Sequence, residues 1–211
     1  GYHVIAIANS TFAIIADNLL YSNKYAWGLD LGQKILSVVA KDASEKDYPY
    51  GQFVVLLEDG SICLIWSDTC IKKISDNGYI SVASGCGGLV FGLRSDGTVD
   101  VLFSEKDTMG ITCDVKEWTN VTQIDAGPRH VVGLRNDGAV IAAGKSTACK
   151  PLEEWKNIMK IYVSKASPLY GKENDLTFGI GQDRWLYVDG DCWPKGKNFW
   201  RRIRAQYDVS D

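Results

Sequence analysis

Along most of this chain short apolar runs alternate with polar turns, at a spacing that suits strands and is too short for helices. Residues 54–60 (VVLLEDG), 91–97 (FGLRSDG) and 132–138 (VGLRNDG) are each an apolar run ending in Asp-Gly. A second run follows each one: 61–66 (SICLIW), 98–103 (TVDVLF) and 139–143 (AVIAA). Asp-Gly between two such runs predicts a β-hairpin, because the turn needs a residue at positive φ and glycine supplies it without strain. Weaker copies occupy 12–22 (FAIIADNLLYS) and 178–188 (FGIGQDRWLYV), with Asn18 and Arg184 where the glycine would stand. Asparagine tolerates the left-handed region and arginine does so poorly, so the fifth turn is expected to differ in shape.

The turn aspartates Asp17, Asp59, Asp96, Asp137 and Asp183 recur 42, 37, 41 and 46 residues apart. One hairpin per unit of that length predicts radially repeated β-structure. A β-rich segment opens every unit: 4–8 (VIAIA), 35–40 (ILSVVA), 79–83 (YISVA), 121–126 (VTQIDA) and 158–163 (IMKIYV). Trp118, Trp155 and Trp200 each precede the next opening segment, a phase that suits a packing wedge between neighbouring units. A sixth opening segment, 201–209 (RRIRAQYDV), has no hairpin after it. The expected fold is therefore all-β: a single five-bladed β-propeller over residues 1–211, with repeats near 4–34, 35–78, 79–120, 121–157 and 158–199. In this reading residues 200–209 form a closing strand that lets the chain ends share a blade, removing exposed edges. The alternative is an open arc or partial propeller, completed by further blades or by a second copy.

Composition narrows the function. The chain has 211 residues, 45% of them hydrophobic, enough for an ordinary globular core. A net charge of −3 argues against a generic polyanion-binding surface, and the one basic cluster (Arg201, Arg202, Arg204) is too small to reverse that. No apolar stretch approaches the ~20 residues that span a bilayer. The six cysteines, Cys63, Cys70, Cys86, Cys113, Cys149 and Cys192, include no CxxC pair and fall at different places within the units. They read as mostly reduced thiols, which points to the cytoplasm, with a secreted chain whose signal has been removed as the alternative.

The phrases ISVASGCGGLVFGLRSDGTVDVL and VTQIDAGPRHVVGLRNDGAVIAAG, with DVKEWTNV between them, resemble the repeats of the regulator-of-chromosome-condensation superfamily, most closely its degenerate bacterial members. Ala126, Gly127, His130, Leu134, Asp137, Gly138 and Gly144 match the repeat in one unit, and Ser84, Gly85, Leu93, Asp96 and Gly97 in another. The other units match in outline. The resemblance implies a propeller whose repeat histidine, His130 here, supports the turn between strands. It also implies a protein that works by binding: one member acts on a small GTPase, and another covers the mouth of a β-lactamase.

No catalytic constellation stands out. His3 and His130 are the only histidines, which leaves little for a zinc site, and no cofactor is expected. The turn aspartates should bond their own backbones. Gly85-Cys86-Gly87-Gly88 precedes no helix and reads as a tight connection between strands, not a phosphate cradle. The opening strand is followed by four or five residues in units three and four, but by 41–52 (KDASEKDYPYGQ) in unit two and 164–175 (SKASPLYGKEND) in unit five. Equivalent repeat positions share a propeller face, so both long segments should emerge on one side. The partner-binding candidates are Tyr48, Tyr50, Leu169 and Tyr170, with Arg129 and Gly87 beside them. The leading expectation is a non-enzymatic binding protein, an inhibitor or adaptor, that meets a protein partner as a monomer or self-completing oligomer. Neither a membrane nor nucleic acid is expected. The alternative is a small anionic ligand or nucleotide at the channel mouth, held by Arg129, His130 and Lys165. An unspecified hydrolase or lyase is the third reading.

Overall fold

The structure, a computed structural model, describes residues 3–8, 11–23, 25–41, 52–67, 70–104, 112–145, 149–164, 176–189 and 203–204. They form five antiparallel sheets in chain order. The first holds β1 (His3–Ala8), β2 (Thr11–Ala16), β3 (Leu19–Ser22) and β4 (Tyr25–Leu29). The second holds β5 (Ile35–Lys41), β6 (Gln52–Leu57), β7 (Ile62–Ile65) and β8 (Ile71–Lys73). The third holds β9 (Tyr79–Gly85), β10 (Leu89–Arg94) and β11 (Val99–Phe103). The fourth holds β12 (Val121–Ala126), β13 (His130–Arg135) and β14 (Val140–Gly144). The fifth holds β15 (Ile158–Val163), β16 (Thr177–Gly181), β17 (Trp185–Asp189) and β18 (Ile203–Arg204). The helical content among the described residues is a short 3₁₀ turn at Lys150–Glu154.

The Asp-Gly hairpins form as the sequence predicts. Gly60, Gly97 and Gly138 lie at φ 78°, 84° and 80°, and each donates its N–H to the carbonyl three residues back. That is a type I turn closed by a left-handed residue, a common three-residue hairpin loop. The fifth turn differs from expectation. Arg184 sits at φ 62° and bonds Gly181 O at 2.9 Å, so it has the shape of the glycine turns. The surroundings hold it there: Asp183 accepts from Trp185 N at 3.0 Å, and Gln182 N donates to Asn157 O at 2.8 Å. The turn with a different shape is the first, where both Asp17 and Asn18 have positive φ, at 50° and 65°.

Each of the first four turns also joins its sheet to the next. Tyr79 N donates to Gly60 O at 3.1 Å, Val121 N to Gly97 O at 3.0 Å and Ile158 N to Gly138 O at 3.0 Å. At the first junction the side chain of Asn18 does this work, accepting Ile35 N at 3.0 Å. These bonds satisfy backbone groups that would otherwise be stranded between sheets. The first strands β1, β5, β9, β12 and β15 adjoin in that order and so form the inner row.

Apolar packing fills the space between sheets. In the second sheet Phe53, Val55, Leu57, Cys63 and Ile65 face the first, against Ala13 and Leu20. The alternate residues Val54, Leu56, Ile62 and Leu64 face the third, against Tyr79, Val82 and Val90. The tryptophans act as wedges: the ring of Trp118 lies against Gly133, and that of Trp155 against Gly179 and, at 5.7 Å, Tyr187. A β-carbon on either glycine would enter the indole.

The closing strand is where sequence and structure part. β18 pairs with β17 in the fifth sheet (Trp185 opposite Arg204, Leu186 opposite Ile203) and not with the first sheet. The reason is that residues 25–29 supply the first sheet with a fourth strand of its own, while β17 would otherwise present a bare edge. Among the described residues no contact as extensive as those between successive first strands joins β15 to β1.

Candidate interaction rim

The connections from first to second strand line up along one edge of the molecule. In the third sheet this connection is the turn Cys86–Gly87–Gly88, with φ of 53°, 71° and 98°, closed by Gly88 N to Gly85 O at 3.1 Å. In the fourth it spans Gly127 to Arg129, with Gly127 N on His130 O at 2.9 Å. Cys86 N donates to Gly127 O at 2.8 Å, so the two turns are in contact. A β-carbon on Gly85 would run into that carbonyl, which is why the position needs glycine. Gly127 in turn lies against Val163 and Ser164 at the end of β15, and Ser164 N bonds Leu176 O at 2.8 Å. On the other side the Lys41 ammonium stands 5.4 Å above the Phe103 ring, and Phe103 pairs with Val90 near the start of β10. Four connections thus follow one another along the edge.

Gly87 and Arg129 occupy neighbouring turns on this rim and are half-buried. Tyr48, Tyr50, Lys165, Leu169 and Tyr170 lie outside the described residues. Their segments leave the sheets at Lys41 and Ser164, on the same rim.

A row of buried polar side chains lies beneath. Lys41, Gln52, Ser84, His130 and Thr177 are each at most 2% exposed. His130 Nε2 and Thr177 Oγ1 are 2.7 Å apart and tie the fourth sheet to the fifth. Ser84 Oγ donates to Leu89 O at 3.1 Å within its own connection. The amide atoms of Gln52 are buried without a hydrogen bond among the described residues. Sequence reasoning found His130 but missed Gln52 and Thr177. All three open the second strand of their sheet, and a polar residue at the head of an apolar run is the signal that could have found them.

The fourth and fifth sheets are also stitched by side chains that sequence reasoning overlooked. Gln123 Nε2 donates to Ile161 O at 2.7 Å, while its Oε1 accepts Ile161 N at 3.0 Å. Asp125 Oδ2 accepts Val163 N at 2.7 Å.

The opposite rim carries the turn aspartates. Asp59, Asp96 and Asp137 each accept the N–H two residues on, at 2.8, 2.9 and 2.9 Å. The Ser61 and Thr98 hydroxyls hold the carboxyls of Asp59 and Asp96 below the usual aspartate range, reinforced by those same N–H groups. Near this rim Asp100 takes bonds from the Arg94 guanidinium at 2.7 Å and the Tyr79 hydroxyl at 2.8 Å. Burial, helped by the bond to Asp100, pushes the Tyr79 phenol up to about 12. Among the described residues no cluster of three His, Cys, Asp or Glu side chains could hold a metal ion, and no helix is long and apolar enough to cross a membrane.

No protein-family model and no curated protein sequence matches the chain. Solved structures do. The ectodomain of the Physcomitrella patens receptor kinase CR4 superposes with a TM-score of 0.63 at 15% identity, over 87% of this chain and 50% of that one. Yeast RCC1 (Prp20), solved with Kap60 bound, gives 0.57 at 14% identity, over 88% of this chain and 55% of that one. BBS1N, solved in complex with ARL6DN, gives 0.51 at 14% identity, over 86% and 61%. The chain spans half to about three fifths of the length of these proteins. At such identities the likeness is one of architecture, and it establishes that this chain has the fold of an RCC1-like β-propeller, built from five antiparallel sheets.

Proposed function

We propose that this chain is a non-enzymatic binding protein that offers the rim of first-to-second-strand connections to a protein partner, as an inhibitor or adaptor. The observation that carries the reading is the row of contacts from Lys41 through Cys86 and Gly127 to Ser164. It makes a rigid base from which two long polar segments depart, and variable loops on a rigid scaffold are where recognition residues concentrate. Two of the structural neighbours were solved with a protein bound, Kap60 in one case and ARL6DN in the other, which supports a binding role for this chain too. In this reading Tyr48, Tyr50, Leu169 and Tyr170 supply aromatic and apolar anchors, with Arg129 and Gly87 between them.

The test is a tagged full chain purified under native conditions. A single stoichiometric protein should co-purify and should be lost when Tyr48, Tyr50 and Tyr170 are changed to Ala while the melting temperature holds. Retention of that protein by the triple variant removes the rim from consideration. A melting shift with nucleotides or small anions, abolished by Arg129→Ala, would favour a small-ligand site instead. His130 is fully buried against Thr177, so that site would fall to Arg129 and Lys165.

A further inference from the structure

The thiols of Cys86 and Cys113 meet inside the junction between the third and fourth sheets. Their sulfurs are 2.7 Å apart, and the side chains are 0% and 6% exposed in one apolar cluster with Phe91, Trp118 and Val131. Cys86 is the only non-glycine in its turn and adopts φ 53°, a conformation that disfavours any side chain with a β-carbon. A glycine would fit that tip more easily, so the thiol has a reason to be there beyond turn chemistry. Cys113 is also anchored, with its sulfur 3.5 Å from the carbonyl of Ala143 in the fourth sheet. The pair is distant in sequence, and each member is held from a different direction.

We propose that Cys86 and Cys113 are a built-in cross-linking site that closes to a disulfide when the chain folds in the presence of a small-molecule disulfide such as oxidised glutathione. One thiol loses its proton, and its sulfur attacks the glutathione disulfide, releasing one glutathione thiolate and leaving a mixed disulfide. The second cysteine, also as thiolate, attacks the protein sulfur of that bond and releases the second glutathione. Two protein thiols are oxidised and one glutathione disulfide is reduced to two thiols. Closing the sulfurs from 2.7 Å to the bond length of about 2.05 Å takes a shift well under an ångström. The exchange proceeds during folding, before the apolar cluster seals. Once formed, the bond ties the rim turn of the third sheet to the strand-free segment leading into the fourth.

The test uses the full chain, refolded from reductant in a glutathione redox mixture, alkylated and digested without reduction. Mass mapping should show one linked pair, Cys86 with Cys113, two hydrogens lighter than the separate peptides, and alkylated Cys63, Cys70, Cys149 and Cys192. The oxidised protein should melt on the order of 5–10 °C above the reduced protein, as a bridge across a loop of this length implies. In Cys113→Ser the redox dependence of melting should vanish, a comparison made within one variant and so independent of its overall stability. Recovery of both cysteines separately alkylated, each carrying glutathione, or bonded to other cysteines, overturns the proposal.

Discussion

The second and fifth sheets share one strand plan and differ in what lies on either side of them. Every residue of β6 and β7 is buried, because the first sheet covers one face and the third the other. In β16 buried and half-buried residues alternate, and β17 is half-buried throughout. The inward glycine and Tyr187 meet Trp155, whereas Phe178 and Ile180 are only half-covered. The first sheet behaves like the fifth: Ala13 and Leu20 are fully buried, and Phe12 and Tyr21 are about 40% exposed. Burial, not residue type, separates these sheets: the first and fifth carry apolar runs as well (FAII, FGIG, WLYV), yet part of each run is left half-covered or exposed.

The largest effect that could break this comparison is a core truncation. Leu64→Ala in the second sheet should cost about 2–5 kcal/mol, since Leu64 is fully enclosed. Leu186→Ala in the fifth, half-buried, should cost about 1 kcal/mol. Urea midpoints at unchanged m-value measure both, and equal losses would mean that the end sheet is as enclosed as the inner one. The turns give the next contrast. Gly97→Arg in the third sheet should lose about 1–2 kcal/mol, because its β-carbon is forced to positive φ and closes on Asn120. Arg184→Gly in the fifth should instead gain about 0.5–1 kcal/mol by relieving the same backbone conformation. Denaturation of the two variants should show opposite signs.

The smallest effect is confined to alkaline pH. Tyr79 in the third sheet ionises near 12 when folded and near 10 when unfolded. The folded state keeps the proton that the unfolded state gives up, so this group leaves stability unchanged below pH ~10 and lowers it between about 10 and 12. Tyr79→Phe, which keeps the ring against Gly92, should flatten that limb in melting temperature against pH. An unchanged limb would assign it to other groups.

Local chemistry made the hairpins legible. Asp-Gly needs no distant partner to turn, and Asp59, Asp96 and Asp137 cap their own loops. Arg184 misled because its turn is held by Asn157 in the preceding link, which a local rule omits. The outer strand β8 was missed for a related reason. Every residue of Ile71–Lys73 is exposed and the strand carries no apolar period, so only pairing with β7 makes it a strand. The expectation of a shared closing blade came instead from the sixth opening segment at 201–209, which has no hairpin after it. On the rim, Gly87 and Arg129 were visible from their phase in the repeat. Gln123 and Asp125 were not, because their partners lie 38 residues away in another module.

The Gln123 contact has a mechanical side. Its amide bonds both the N–H and the C=O of Ile161, the same two groups a neighbouring strand would use, so one side chain acts as a rung between strands that belong to different sheets. Detaching the last module from the fourth would uncover the amide protons of Ile161 and Val163 along with the apolar surface around Trp155. Deuterium uptake at those two amides would then time the fraying of the array from its C-terminal side.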